Sequence, residues 1–116
     1  MKKVLIVDDD QDVVVSLKAI LASKGYTVYE AYSGKEGIEV FKNVKPDVVL
    51  LDLMMEQVDT GITVCKQMRA ENANVKIYML SAVGDEAAST IDVAKAGFNG
   101  AISKPISPDE LLRLVE

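Results

Sequence analysis

Two unbroken aliphatic runs, Val4 to Val7 and Val48 to Leu51, do most to limit what this chain can become. A strand with one face in water alternates polar and apolar residues, so runs without polar interruption belong to central strands covered by helices on both faces. Three further runs, Thr27 to Ala31, Val75 to Leu80 and the weaker Gly100 to Ile102, read as strands as well. Strand and helix patterns alternate five times along the chain, with no repeat, no low-complexity segment and no linker longer than a loop. That is the signature of βαβ units in an α/β fold with a parallel sheet. Right-handed crossovers then leave few topologies open.

Local signals mark the helices between these strands. Asp12 to Ser23 carries Val13, Leu17, Ile20 and Leu21 at helical intervals, with Gly25 just past its end as a C-terminal cap. Ser33-Gly34-Lys35-Glu36 opens the next helix as a capping box, with Ile38 and Phe41 on the buried face. Pro46 closes the way to the third strand. After Asp52, a loop from Leu53 to Thr60 leads to a helix near Gly61 to Ala70, and another helix is expected from about Asp85 to Ala96, ending at Gly97. Ser107-Pro108-Asp109-Glu110 starts the last helix as a second capping box, with proline at the first helical position, where a missing N–H costs nothing.

Length and composition narrow the possible chemistry. At 116 residues the chain reads as one domain, 1–116, large enough to bury a core without metal or disulfide staples. No apolar run approaches the roughly 18 residues of a membrane span, and Met1-Lys2-Lys3 leads into a strand rather than a secretory signal, so no membrane association is expected and the expected location is cytoplasmic. The single cysteine, Cys65, stands at helical spacing from Met68 and is expected to pack in the core without a chemical role. The chain contains no histidine, which excludes His-based zinc sites and any Ser-His-Asp or Cys-His set within it. A net charge of −5, from 13 basic and 18 acidic residues, argues against direct nucleic-acid binding by this domain. The last residue, Glu116, falls inside a helix without a C-terminal cap, so the expectation includes a longer protein from which this domain was trimmed.

The ends of the strands carry the chemistry. In a parallel sheet the carboxyl ends of all strands share one crevice, so residues distant in sequence meet there. The first run ends at Asp8-Asp9, the third at Asp52, the fourth at Ser81 and the fifth at Ser103-Lys104. Each has an ordinary explanation when taken alone. An Asp-Asp pair after a strand is commonly a helix cap with a solvated neighbour, which is the role expected of Asp10 and Asp12. Asp52 could cap a turn, Ser81 could be a loop residue, and Lys104 could be a solvated lysine. The joint pattern changes the weighing, because neighbouring carboxylates repel by roughly 4 kcal/mol per pair at an effective dielectric of 20 and need a cation beside them. Oxygen ligands without His or Cys select a hard ion, and a few carboxylates completed by water and a phosphate oxygen suit Mg²⁺ better than Ca²⁺. With metal and ammonium beside it, an aspartate carboxylate can attack phosphorus and form an acyl phosphate.

Val7-Asp8-Asp9, Leu50-Leu51-Asp52-Leu53-Met54-Met55, Leu80-Ser81-Ala82 and Ser103-Lys104-Pro105 together resemble the response regulator receiver domains of two-component signalling. The likeness covers the whole chain, and four motifs in this order are far more specific than an Asp-Asp pair. The resemblance implies a flavodoxin-like, doubly wound (βα)5 sandwich with strand order 2-1-3-4-5 and helices on both faces. It implies that Asp52 is the phosphoacceptor, supplied by a sensor histidine kinase or phosphotransfer protein. It also implies that Asp9 and Asp52 ligate Mg²⁺ directly, Asp8 through water and Met54 through its backbone carbonyl. Ser81 would turn toward the phosphate, Lys104 would contact it, and the Lys104–Pro105 peptide would be cis. Such a domain is not an enzyme in the ordinary sense, since it catalyses only its own phosphorylation and dephosphorylation, and its output passes to a further domain or target protein.

Several departures set limits. The family usually carries Tyr or Phe three residues before the lysine, where this chain has Ala101, so the signal is expected to travel through backbone movement of the 81–86 loop or to be weak. The loop after Asp52 lacks the usual proline and reaches Gly61 one residue late. Asn99-Gly100 replaces an acidic pair often seen where receivers of transcription factors dimerise, so that dimer is not expected. Met54 and Val83, apolar neighbours of the site, are expected to orient attacking water poorly and favour a long-lived phosphoryl group. Two other functions are weighed against the switch. An aspartate-nucleophile phosphohydrolase needs a second acid two residues after the nucleophile, where Met54 stands; a phosphorylation-independent interaction module is opposed by the intact Asp8, Asp9, Asp52, Ser81 and Lys104. A flavin-binding role lacks a phosphate-cradling loop after the first strand.

Overall fold

The structure is a computed structural model. It describes residues 2–52, 58–82, 97–104 and 107–115, with the backbone alone at 58–62, 81–82 and 103–104. The described elements are β1 (Lys3–Val7), α1 (Gln11–Ser23), β2 (Thr27–Ala31), α2 (Gly34–Val44), β3 (Val48–Asp52), α3 (Val58–Glu71), β4 (Lys76–Ala82), β5 (Gly100–Lys104) and α4 (Pro108–Val115). The five strands form one sheet in the order β2-β1-β3-β4-β5, and every neighbouring pair is parallel. This is the flavodoxin-like arrangement implied by the resemblance. The helix expected between Asp85 and Ala96 and the Lys104–Pro105 peptide lie outside the described residues.

Strand alternation divides the core into two layers. Leu5, Val7, Val49, Leu51, Ile77 and Met79 point to one face, where they pack with Phe41 of α2 and Val64, Cys65 and Met68 of α3. Val4, Ile6, Val48, Leu50, Tyr78, Leu80 and Ile102 point to the other, against Val14, Leu17 and Leu21 of α1 and Leu111 and Val115 of α4. Both faces of the central strands are therefore dry, as their unbroken aliphatic runs require. In α1 the buried stripe is Val14, Leu17 and Leu21; Val13 and Ile20, assigned to that stripe from sequence, lie at its partly buried margin.

The caps explain where the helices start and stop. Asp10 is the N-cap of α1, its side chain accepting from the amides of Asp12 and Val13. At the other end the Tyr26 amide donates to the Leu21 carbonyl (3.2 Å) and the Gly25 amide to Ala22 (3.0 Å), a Schellman arrangement in which Gly25 takes φ +88°. Ser33 caps α2, accepting from the Glu36 amide at 3.1 Å. Inside α2, a Cβ on Gly37 would lie 3.0 Å from both Val7 methyl carbons, so this glycine lets the helix approach β1 closely. The helix α3 starts at Val58, before the Gly61 expected from sequence, because one interior glycine costs only about 1 kcal/mol and does not stop a helix.

Candidate functional site

The paired strands bring the acidic positions to one level of the sheet. Val7 of β1 stands opposite Leu51 of β3, so Asp8 follows at the height of Asp52. The Asp8 amide extends the β1–β2 ladder by donating to the Ala31 carbonyl at 3.1 Å. Its carboxylate Oδ1 accepts from the Asp10 amide at 2.9 Å, an Asx turn that fixes the side chain before α1 begins. Asp52 is the last residue of β3 and is paired with Leu80 of β4. The aliphatic run stops at Leu51, but Asp52 still belongs to the strand, because backbone pairing continues through it whatever its side chain.

One carboxylate oxygen from each of Asp8, Asp9 and Asp52 can be chosen so that all three lie within 4.8 Å of one another. Asp8 is fully buried and Asp52 is 6% exposed, whereas Asp9 faces solvent. Carboxylates at such spacing repel by roughly 4 kcal/mol per pair at an effective dielectric of 20. Two are also withdrawn from water, so the arrangement suits a bound divalent cation. The donors are oxygens alone, which suits a hard ion. Asp10 and Asp12 are exposed, and Asp10 is engaged as the α1 cap.

Ser81 and Lys104 reach the same edge by register. Ser81 pairs with Ser103, and Ala82 with Lys104, one and two residues beyond the Asp52–Leu80–Ile102 level. Both were expected just past strand ends and instead lie within strands, since β4 and β5 continue pairing to Ala82 and Lys104. The side chains of Ser81 and Lys104, and all of Met54 and Val83, lie outside the described residues. Ala101 is opposite Met79, and it is exposed.

Two features went unnoticed from sequence. One is the Asx turn of Asp8, for which the signal was Asp8 itself, since an aspartate after a strand can accept from the amide two residues on. The other is Arg69, whose Nη1 donates to the Ala73 and Val75 carbonyls and whose Nη2 donates to Gly97 O and Asn99 Oδ1, the last two at 2.8 Å. Asn99 Oδ1 also accepts from the Ile77 amide at 2.8 Å, so this pair joins the end of α3 to the starts of β4 and β5. No local pattern marks a network whose partners are 28 and 30 residues apart. Cys65 is buried in the core as expected, and burial pushes its thiol up to about 11, only partly opposed by the positive charges of Arg69 and Lys66.

Comparison with known proteins gives a consistent result. The family model of the response regulator receiver domain matches residues 4–116. Over 112 residues the chain is 38% identical to the chemotaxis protein CheY of Thermotoga maritima, covering 96% of this chain and 92% of CheY. It is 36% identical over 110 residues to the alkaline phosphatase synthesis transcriptional regulatory protein PhoP of Bacillus subtilis, covering 95% of this chain but 45% of PhoP. The chain thus spans less than half the length of that regulator. A crystal structure of a CheY-like response regulator receiver domain protein from Methanospirillum hungatei superposes with a TM-score of 0.88 at 28% identity, covering 99% of this chain and 90% of that one.

Proposed function

The chain belongs to the response regulator receiver domain family, and from that membership we propose that it is a phosphorylation-dependent signalling switch whose acceptor is Asp52. The observation that carries this reading is the meeting of Asp8, Asp9 and Asp52 oxygens within 4.8 Å at the carboxyl edge of the sheet. Asp9 and Asp52 would hold Mg²⁺ directly and Asp8 through water, and the Met54 carbonyl would complete the protein's share. When bound, the ion neutralises charge on the transferring group and on the attacking carboxylate.

This chain's residues then have separate tasks. An Asp52 oxygen attacks the phosphorus of a phosphohistidine on a sensor kinase or phosphotransfer protein. The new O–P bond forms as the P–N bond breaks, and the electron pair leaves with an imidazole whose other nitrogen carries a proton. The buried Asp8 accepts from the Asp10 amide, which orients its carboxylate at the acidic rim. Lys104 supplies positive charge to the phosphoryl oxygens and Ser81 donates its hydroxyl once the group has arrived. Water attack on the same phosphorus returns the carboxylate and inorganic phosphate, so the only chemistry catalysed is on the chain itself. The site of action is the cytoplasm, and the output passes to an attached domain or a separate target. No helix of the described residues is long and apolar enough to cross a membrane.

The test is intact mass after incubation with a small phosphodonor. One phosphoryl group is expected on the native chain in Mg²⁺, and none in chelator or in Asp52→Asn. A phosphorylation-independent interaction module is the second reading, favoured by the exposed Ala101 where the family usually has an aromatic. An unchanged mass in Mg²⁺ would select it.

A further inference from the structure

The strand β2 is one edge of the sheet and pairs with β1 alone. The Thr27 amide donates to the Lys2 carbonyl and the Ala31 carbonyl accepts from the Asp8 amide, so by strand alternation the backbones of Thr27, Tyr29 and Ala31 face β1. The amides and carbonyls of Val28 and Glu30 therefore point outward, and no described backbone group meets them. The usual devices that blunt an edge are missing: β2 pairs with β1 without a bulge and contains no proline. Its one charged side chain, Glu30, already faces Lys18 at 3.6 Å. Val28, Tyr29, Val40 and Val44 line an adjoining groove of about 380 Å³ between β2 and α2, with Glu30 and Asn43 beside them.

Charge indicates what fits this edge. Lys2 and Lys3 stand at the start of β1, Lys24 before β2, Lys45 before β3 and Lys76 at the start of β4, against Asp47 and Glu71. At the carboxyl ends stand Asp8, Asp9, Asp52 and, in the first turn of α2, Glu36, against Lys35 and Lys104. The described residues thus form a molecule that is basic at one end of its strands and acidic at the other. A copy set alongside in parallel brings like poles together, whereas an antiparallel copy brings opposite poles together.

We propose that β2 is a docking edge for a second copy of this chain, added antiparallel about a two-fold axis at Tyr29. Val28 then exchanges both backbone hydrogen bonds with Glu30 of the second copy, and the symmetry repeats this, giving four bonds. The two Tyr29 rings meet across the axis on the α2 face, as a cross-strand aromatic pair over the groove. Lys24 comes to the level of the second copy's carboxyl end, where Glu30 lies. This edge is opposite β5, where Asn99-Gly100 lies, and the pairing does not depend on phosphorylation of Asp52.

Mass in solution and amide exchange, measured on the whole chain over a rising concentration series, test this together. The average mass is expected to climb from 12.6 kDa toward twice that value. In step with it the Val28 and Glu30 amides should slow, while that of Tyr29, committed to β1, is protected throughout. Val28→Pro removes an N–H that the sheet itself does not use, a change edge strands accept, and should weaken association by about tenfold or more. Lys24→Glu, at an exposed position, should weaken it severalfold. The Leu50 amide reports whether each variant is folded; if Val28→Pro is not, Lys24→Glu decides. A native chain that stays at 12.6 kDa at every concentration would overturn the proposal and leave the edge to a segment of another protein. A dimer that leaves Val28 and Glu30 unprotected, or that forms equally well in the folded variants, uses another face and would overturn it too.

Discussion

Asp52 is the residue whose energetics differ most from its surroundings. It is nearly buried and shares its small space with the Asp8 and Asp9 carboxylates, whose like charges repel it. Asp52→Asn removes that charge while keeping the shape. The variant is expected to be more stable than the native chain in chelator by about 1–2 kcal/mol, read from denaturant midpoints, with the difference shrinking or reversing in Mg²⁺. Equal midpoints in chelator would contradict the repulsion. Cys65 gives a second expectation, in pH. Its thiol is raised from 9.0 to about 11 by burial, so the folded state keeps the proton where the unfolded state loses it. Between about pH 9 and 11 the folded chain binds more protons, and stability must fall as pH rises through that window. Below pH 9 this group contributes no slope. Cys65→Ala should be less stable throughout because it leaves a cavity, but its decline above pH 9 should be shallower than that of the native chain.

Among the elements, α2 shows a local compromise. Its C-cap is Lys45, in the left-handed region at φ 55° and ψ 64°, where a side chain is disfavoured by roughly 1–2 kcal/mol. The amide of Lys45 still donates to Phe41 O, so the turn is formed despite the strain. Lys45→Gly should raise stability by about 1 kcal/mol, less a part lost to the freer unfolded chain, and should shift the urea midpoint upward with an unchanged slope. Strands, by contrast, were legible almost to the residue where aliphatic runs marked them. Their carboxyl ends were not, because Asp52, Ser81 and Lys104 interrupt the apolar pattern without interrupting the backbone ladder. The start of α3 was misjudged for a related reason: Gly61 looks like a boundary in sequence, yet a helix anchored by Val64, Cys65 and Met68 absorbs it.

For the whole molecule, both core layers follow from which strand runs lack polar interruption and which helix stripes are available to cover them, whereas the sheet order was implied only by the family resemblance. The acidic cluster was legible for the same reason, since parallel strands bring all carboxyl ends to one rim and Asp8, Asp9 and Asp52 meet there. Contacts made by single polar side chains across long sequence separations, those of Arg69 with Asn99 and of Tyr78 with Leu114, were not, as nothing local announces them. Among the described residues the fold thus concentrates acidic charge at one edge of a sheet whose two core layers are apolar. A divalent ion binding only the folded state must then stabilise it by mass action. Thermal melting over a Mg²⁺ titration measures this directly: the midpoint should climb steadily with Mg²⁺ in the native chain and respond far less in Asp9→Asn, whereas a native midpoint indifferent to Mg²⁺ would contradict a metal site built from these three carboxylates.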